Sequence, residues 1–290
     1  MNVNIGHSFL IGDFCRGEIN VLPASDRSVV EGNSRVAMTS RALDLRADTV
    51  LSDDSISIWR VGLDWPETDI KVAAQILSSE EQKRAKRFYR VSDREHFIVA
   101  RAALRFILAR YLKVDPRQIL FDYNRFGKPR LADGARHRDI RFNLAHSGGL
   151  ALFAVAIGRE IGVDLELIEP NSATMDLARN VFATEEVTAL SALSKEDFVA
   201  GFYRCWTRKE AYVKAKGLGI SLPLKSFVVS VMPPNQTPLL VADRNQIGEQ
   251  ARWLLADVVV GQDFAATLAI ERGTQFHLAT GHSELTAAIP

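Results

Sequence analysis

What this sequence has little of narrows its identity first. Cysteine occurs twice in 290 residues, at Cys15 and Cys205, so neither a disulfide framework nor a cysteine-based zinc site can be assembled. Neither sign of charge is in excess: 36 Lys and Arg face 35 Asp and Glu, a net charge of +1. That balance argues against a globally basic nucleic-acid binder and against an acidic disordered tail. No run approaches the ~18 apolar residues of a membrane span. The opening MNVNIGHSFLIGDFCRGE lacks both the basic leader and the long apolar stretch of a secretory signal. The expectation is a cytoplasmic protein with no membrane and no nucleic-acid partner. With 47% hydrophobic residues, the chain can bury one large core or two smaller ones.

Organisation follows from patterning. Residues 1–50 show weak periodicity, with Gly, Ser, Asn and Arg scattered through NVLPASDRSVVEGNSRVAMTSR, and read as a partly disordered N-terminal extension. SISIWRVGL then alternates like a strand. LSSEEQKRAKRF offers Ser78 or Ser79 as a helix N-cap with acids in the first turn. DREHFIVARAALRFILARYLKV predicts a long amphipathic helix ending before Pro116. ILFDYNRFGKPRL reads as strand, turn, strand, and residues 141–168 as strand-rich. The order then recurs: FATEEVTALSAL echoes LSSEEQKRAKRF, and KEDFVAGFYRCW echoes REHFIVARAALR at an offset of 101, which pairs Glu95 with Glu196 and Phe97 with Phe198. Two related halves are expected, 51–165 and 166–275, followed by a tail at 276–290.

Four short stretches carry candidate chemistry. In CWTRKEAYVKAKG (205–217), Trp206, Glu210 and Lys214 share one helix face, although a Glu four residues before a Lys is also an ordinary surface pair worth ~0.2–0.5 kcal/mol. In IGVDLELI (161–168), Asp164 and Glu166 point to the same side of a strand. Two adjacent carboxylates repel unless a cation compensates, and Mg²⁺ accepts such oxygen ligands together with substrate phosphates; a solvent-facing strand edge is the plainer alternative. FNLAHSGG (142–149) sets Asn143, His146 and Ser147 before a Gly148–Gly149 turn that permits close backbone approach to a ligand, with a structural histidine as the alternative. FGKPRL (126–131) presents Lys128 between Gly127 and Pro129, where the proline favours extended backbone and lets the ammonium project from a tight turn. KRAKRFYR adds Lys83, Arg84, Lys86, Arg87 and Arg90, either a solvated face or a local anion site.

Taken in order, the basic helix, GKP turn, FNxxHS, IGVDLE and WTRKEAYVK resemble the Sfp-type 4′-phosphopantetheinyl transferases from about residue 55 to 230, and more weakly to 270. The resemblance implies an α+β pseudo-dimer: two halves, each a small antiparallel sheet with a long helix, with the active-site cleft between them. It implies an enzyme that moves the phosphopantetheine arm of coenzyme A to a serine of an apo acyl or peptidyl carrier protein and releases 3′,5′-ADP. By the same resemblance Asp164, Glu166 and Glu210 are Mg²⁺ ligands, and Asp164, Glu210 and Lys214 the catalytic set, with Glu210 as base and Lys214 on the pyrophosphate. Arg84, Gly127, Lys128, Pro129, Asn143, His146, Ser147 and Lys214 correspond to positions that line coenzyme A. Lys209 is auxiliary and Trp206 packs. One departure is Ala145, where the family often has serine. A fused two-half chain is expected to be a monomer, with the basic surface near Arg84, Arg87 and Arg90 steering an acidic carrier. The competing expectation is a catalytically silent module that binds coenzyme A or a carrier.

Overall fold

The structure, a computed structural model, describes residues 56–132, 139–234, 239–244 and 246–272. The expected extension at 1–50 and the tail at 276–290 lie outside these residues. The first half opens with strand β1 (Ile56–Gly62) and continues through helices α1 (Glu67–Ala74), α2 (Ser79–Ala85) and α3 (Val91–Leu112). A small hairpin follows, β2 (Phe121–Tyr123) and β3 (Pro129–Leu131), then the long hairpin β4 (Ile140–Ser147) and β5 (Leu150–Ile157). The second half repeats this order: β6 (Ile161–Leu167), helices α4 (Met175–Val181), α5 (Thr184–Ser191) and α6 (Lys195–Lys216), the pair β7 (Phe227–Val229) and β8 (Leu240–Asp243), a short helix α7 (Glu249–Arg252), and strands β9 (Trp253–Asp257) and β10 (Phe264–Glu271). Each half builds a three-stranded antiparallel sheet of the same order, β1-β5-β4 and β6-β10-β9. The expected pseudo-dimeric α+β architecture is therefore present.

Local chemistry explains the elements. Ser78 caps α2 in a reciprocal box with Glu81: its hydroxyl accepts from the Glu81 amide, and the Glu81 carboxylate accepts from the Ser78 amide at 2.8 Å. Ser194 caps α6 through the Asp197 amide, and Gly217 ends it in the left-handed region at φ 63°. The two residues between β4 and β5, Gly148 and Gly149, both have positive φ (58° and 69°). A two-residue hairpin loop needs that pairing to match the strand twist. Strand β5 is buried throughout. Ala151, Phe153, Val155 and Ile157 face the α3 core, and Leu150, Leu152, Ala154 and Ala156 face a second apolar layer with Ile161, Val163 and Leu165 of β6. That layer joins the halves.

The internal repeat is real but differs in phase from the sequence match. The long helices correspond three residues away from the 101 offset: Arg105 with Lys209, and Lys113 with Gly217, both of the latter pair being left-handed C-caps. In each half a glutamate at the third position of the short helix is buried against a cation of the long one. Glu81 meets Arg101 and Arg105 at 2.6 and 2.7 Å, and Glu186 meets Lys209 at 2.7 Å. A slip of three residues nearly preserves a helix face, so amphipathic pattern alone could not fix the phase. The half-boundary drawn at 165/166 falls inside β6; the 158–160 turn is where one sheet ends and the next begins. Helix α1, entered at Pro66, was not foreseen.

Candidate active site

Strand β6 and helix α6 are in contact at backbone distance. A Cβ added to Gly162 would lie 2.2 Å from the Ala211 carbonyl oxygen and 2.3 Å from the Ala215 nitrogen. Only glycine allows this approach. It brings the residues two and four further along β6, Asp164 and Glu166, under the α6 turn that carries Glu210 and Lys214. Lys214 Nζ donates to Asp164 Oδ1 at 2.5 Å. Asp164 is 3% exposed, and its other oxygen, Oδ2, is buried with no hydrogen-bond partner. The solvent-edge alternative for this strand does not hold.

Glu166 is steered from the first half. The Ser147 hydroxyl, at the end of β4, donates to Glu166 Oε2 at 3.0 Å and accepts from the Leu167 amide at 3.0 Å. Three carboxylates therefore gather around one ammonium. Burial and then the neighbouring Asp164 charge push Glu166 up to about 8, and the same two causes push Glu210 up to about 7. Burial also raises Asp164 despite Lys214. Burial disfavours the charge of Lys214, but the Asp164 and Glu210 carboxylates more than offset it and hold the ammonium above its usual value. An all-oxygen, partly buried, under-neutralised set with an orphaned Asp164 oxygen fits a hard divalent cation. No group of three or more His, Cys, Asp or Glu side chains among the described residues is arranged to hold a metal as it stands.

The remaining candidates are placed as follows. Asn143 is 1% exposed; its Oδ1 accepts from the Val163 amide at 2.8 Å and stitches β4 to β6 next to Asp164. Lys128 does not project from its turn. Its ammonium donates to Glu160 Oε2 (2.8 Å), the Ala215 carbonyl (2.9 Å) and the Ile161 carbonyl (3.1 Å), and burial, opposed by Glu160, lowers its pKa. The turn holding it, with Gly127 at φ 86° and Pro129 buried at the start of β3, packs on the C-terminal end of α6. There Asn124 Nδ2 donates to the Gly217 carbonyl at 2.8 Å. His146, half-buried, stands beside Ser147 at the end of β4, and Ala145 is buried in the layer between halves. Arg84, at the end of α2, lies over the Phe97 ring at 5.5 Å.

Of the three residues sharing the α6 face, Trp206 stacks on Phe202 with ring centroids 6.1 Å apart and is structural. Lys209, adjacent to Glu210, points the opposite way. It is fully buried and donates to the Leu224 and Phe227 carbonyls at 2.7 Å as well as to Glu186. Sequence reading missed Gly162 as the residue that sets helix height and Ser147 as the partner of Glu166. The only sequence signal for the first is a glycine inside a β-favouring run.

Two family descriptions divide the chain between them: "4'-phosphopantetheinyl transferase, N-terminal" matches residues 64–157, and "4'-phosphopantetheinyl transferase superfamily" matches residues 160–269. The chain is 39% identical to the 4'-phosphopantetheinyl transferase HetI of Nostoc sp. over 222 residues, which is 77% of this chain and 90% of that protein. It is 30% identical to the 4'-phosphopantetheinyl transferase Sfp of Bacillus subtilis over 167 residues, 58% of this chain and 72% of Sfp. With AcpT of Salmonella typhimurium, also a 4'-phosphopantetheinyl transferase, it shares 37% over 113 residues, 39% of this chain and 56% of that one. With both halves matched and the acidic strand and its helix in contact, the chain belongs to the 4′-phosphopantetheinyl transferase superfamily.

Proposed function

We propose that this enzyme transfers the 4′-phosphopantetheine arm of coenzyme A to the serine of an apo acyl or peptidyl carrier protein, with Asp164, Glu166, Glu210 and Lys214 as its working residues. The observation that carries the assignment of roles is the convergence of two strand carboxylates with the Glu210–Lys214 turn, cemented by the 2.5 Å Lys214–Asp164 contact. Glu210, on the α6 turn beside Asp164 and Lys214, takes the proton of the carrier serine, directly or through a water. The serine oxygen attacks the phosphorus on the pantetheine side, the P–O bond to the adenylate phosphate breaks, and 3′,5′-ADP leaves. Lys214, one turn beyond Glu210, takes up the charge that grows on the leaving phosphate oxygen.

Asp164, Glu166 and Glu210 are the residues that would hold Mg²⁺, which when bound supplies Lewis-acid charge to the pyrophosphate. Ser147 keeps Glu166 in place. His146, at the same hairpin, and Arg84 are assigned to the phosphates of coenzyme A. The basic run Arg84, Arg87 and Arg90 is assigned to steering an acidic carrier. Both halves contribute to one site, β4 through Ser147 and β6 with α6, which supports a monomer. The net charge of +1 gives no general field for nucleic acid, and no described helix is long and apolar enough to cross a membrane. A silent binding module is not favoured, because HetI and Sfp are both named as transferases.

The test is intact-mass spectrometry of an apo acyl carrier protein incubated with the enzyme, coenzyme A and Mg²⁺. The carrier should gain the phosphopantetheinyl mass, and EDTA should prevent the gain. Several apo carriers left unmodified under these conditions would refute the reading.

A further inference from the structure

Lys214 is given two places to be. On the proposed function it serves a pyrophosphate oxygen, yet its ammonium rests on Asp164 Oδ1 at 2.5 Å, with side chains only 17% and 4% exposed. That contact occupies one oxygen of the most buried carboxylate in the cluster and leaves Oδ2 unpartnered. The neighbouring cations of α6 are committed elsewhere. Arg208 forms a two-pronged pair with Asp257 at 2.9 and 2.6 Å, Lys209 is sealed against Glu186, and Lys216 meets Glu249 at 2.6 Å. Lys214 is thus the α6 cation that balances the carboxylates, and it does so through an unbranched stem that can swing without moving the helix.

We infer that Lys214 is a resident counter-ion that holds the place of the divalent cation in the metal-free protein, and that metal binding displaces it from Asp164 and frees its ammonium for the pyrophosphate. This rests on the reading of Asp164, Glu166 and Glu210 as the metal-binding carboxylates. An ammonium on Asp164 and a dication beside it would repel each other across a few ångströms of partly desolvated space, so the two compete for one carboxylate. The competition keeps the cluster from collapsing or splaying before the metal arrives. It also makes the lysine available only when the metal is in place, and so links loading of the cation to capture of the phosphates.

The test uses the full chain without coenzyme A and reads metal binding rather than turnover. Mg²⁺ is titrated calorimetrically into wild type and K214M, and Lys214 is followed in wild type by amine acylation and peptide mass spectrometry with and without Mg²⁺. The inference requires K214M to bind Mg²⁺ about tenfold more tightly than wild type, a coupling in the usual range for linked sites. It also requires Lys214 of the wild type to label faster once Mg²⁺ is added. Equal or weaker binding by K214M, or labelling unchanged by the metal, overturns the inference and leaves the metal site standing. No Mg²⁺ binding by either protein removes the metal site itself, and the inference with it. If K214M and K214Q both fail to fold when metal-free, recovery of their thermal transitions by Mg²⁺ supports the replacement of one cation by the other, and no recovery overturns it.

Discussion

Arg110 lies over the indole of Trp59 at 5.7 Å, in the places where the second half sets Lys214 on Asp164. The correspondence is a matter of register. Trp59 is the fourth residue of β1 and Asp164 the fourth of β6, while Arg110 and Lys214 each stand three residues before their helix's left-handed cap. Val61 likewise stands where Glu166 does. The correspondence ends there: the first half meets across long side chains, an aromatic–cation stack, whereas the second brings strand and helix to backbone distance at Gly162 and sets acids and a lysine between them.

Gly162 sets the height of α6 above the acidic strand. Gly162→Ala forces a methyl into backbone atoms at 2.2 and 2.3 Å, and backbone cannot step aside as a flexible side chain can. The expected cost is at least ~3 kcal/mol of stability, with transfer activity lost even in the fraction that folds. Gly62→Ala, where nothing lies within 4 Å, is the control. A thermal melt and a carrier-modification assay on both variants settle it; a near-normal Gly162→Ala enzyme would contradict the close-contact account.

Glu210→Gln keeps the shape of the side chain and removes its basicity. Turnover should fall by ~10²–10⁴, the typical worth of a positioned base. The melting temperature should hold or rise, because one of the mutually repelling carboxylates is gone. Steady-state kinetics beside a melt distinguishes this from a folding defect, and substantial residual turnover would remove Glu210 from the role of base.

Glu81 makes the first half sensitive to acid. Burial opposes its ionisation, but the Arg101 and Arg105 guanidiniums and the Ser78 amide together hold its carboxyl below the usual 4.5. A carboxyl depressed in the folded state stabilises it above the unfolded value, and that contribution disappears as the pH falls through the folded one. Glu81→Gln should cost ~3–5 kcal/mol near pH 7, since it strands two buried guanidiniums. The gap to wild type should narrow below 4.5. Urea titrations at pH 7 and at decreasing acid values read the gap directly, and a constant difference would show that Glu81 is not ionised in the native state.

Lys113 is the only residue other than glycine at positive φ (53°) among the described residues. Lys113→Gly is expected to stabilise by about 0.5–1 kcal/mol, the left-handed penalty less the added freedom of glycine in the unfolded chain. Gly217→Ala, at the matching cap, should destabilise, with its new methyl meeting Asn124 Nδ2 at 3.1 Å. Shifts of the urea midpoint in opposite directions are the signature.

The part of the site that repeats with the period of its own element was legible in the sequence. Asp164 and Glu166 share a strand face, Glu210 and Lys214 share a helix turn, and the Gly148–Gly149 loop announces its hairpin. What could not be read were relations made across the chain. Nothing local says that Lys128 will turn inward to three acceptors, that Asn143 will be a stitch between sheets, or that Ser147 will hold Glu166. Neighbours in sequence can also have opposite fates, as Lys209 and Glu210 do, because one helix presents one to the core of its half and the other to the acidic residues of β6. The pseudo-symmetry was visible, but its phase needed the paired glutamates Glu81 and Glu186 to fix it.

Because β5 is enclosed on both faces, by the α3 core on one side and by residues of β6 on the other, the halves share a wall rather than a linker. A chain built this way has a buried strand at its waist. Its two lobes must unfold together, and the amides of β5 should be among the last to exchange with solvent.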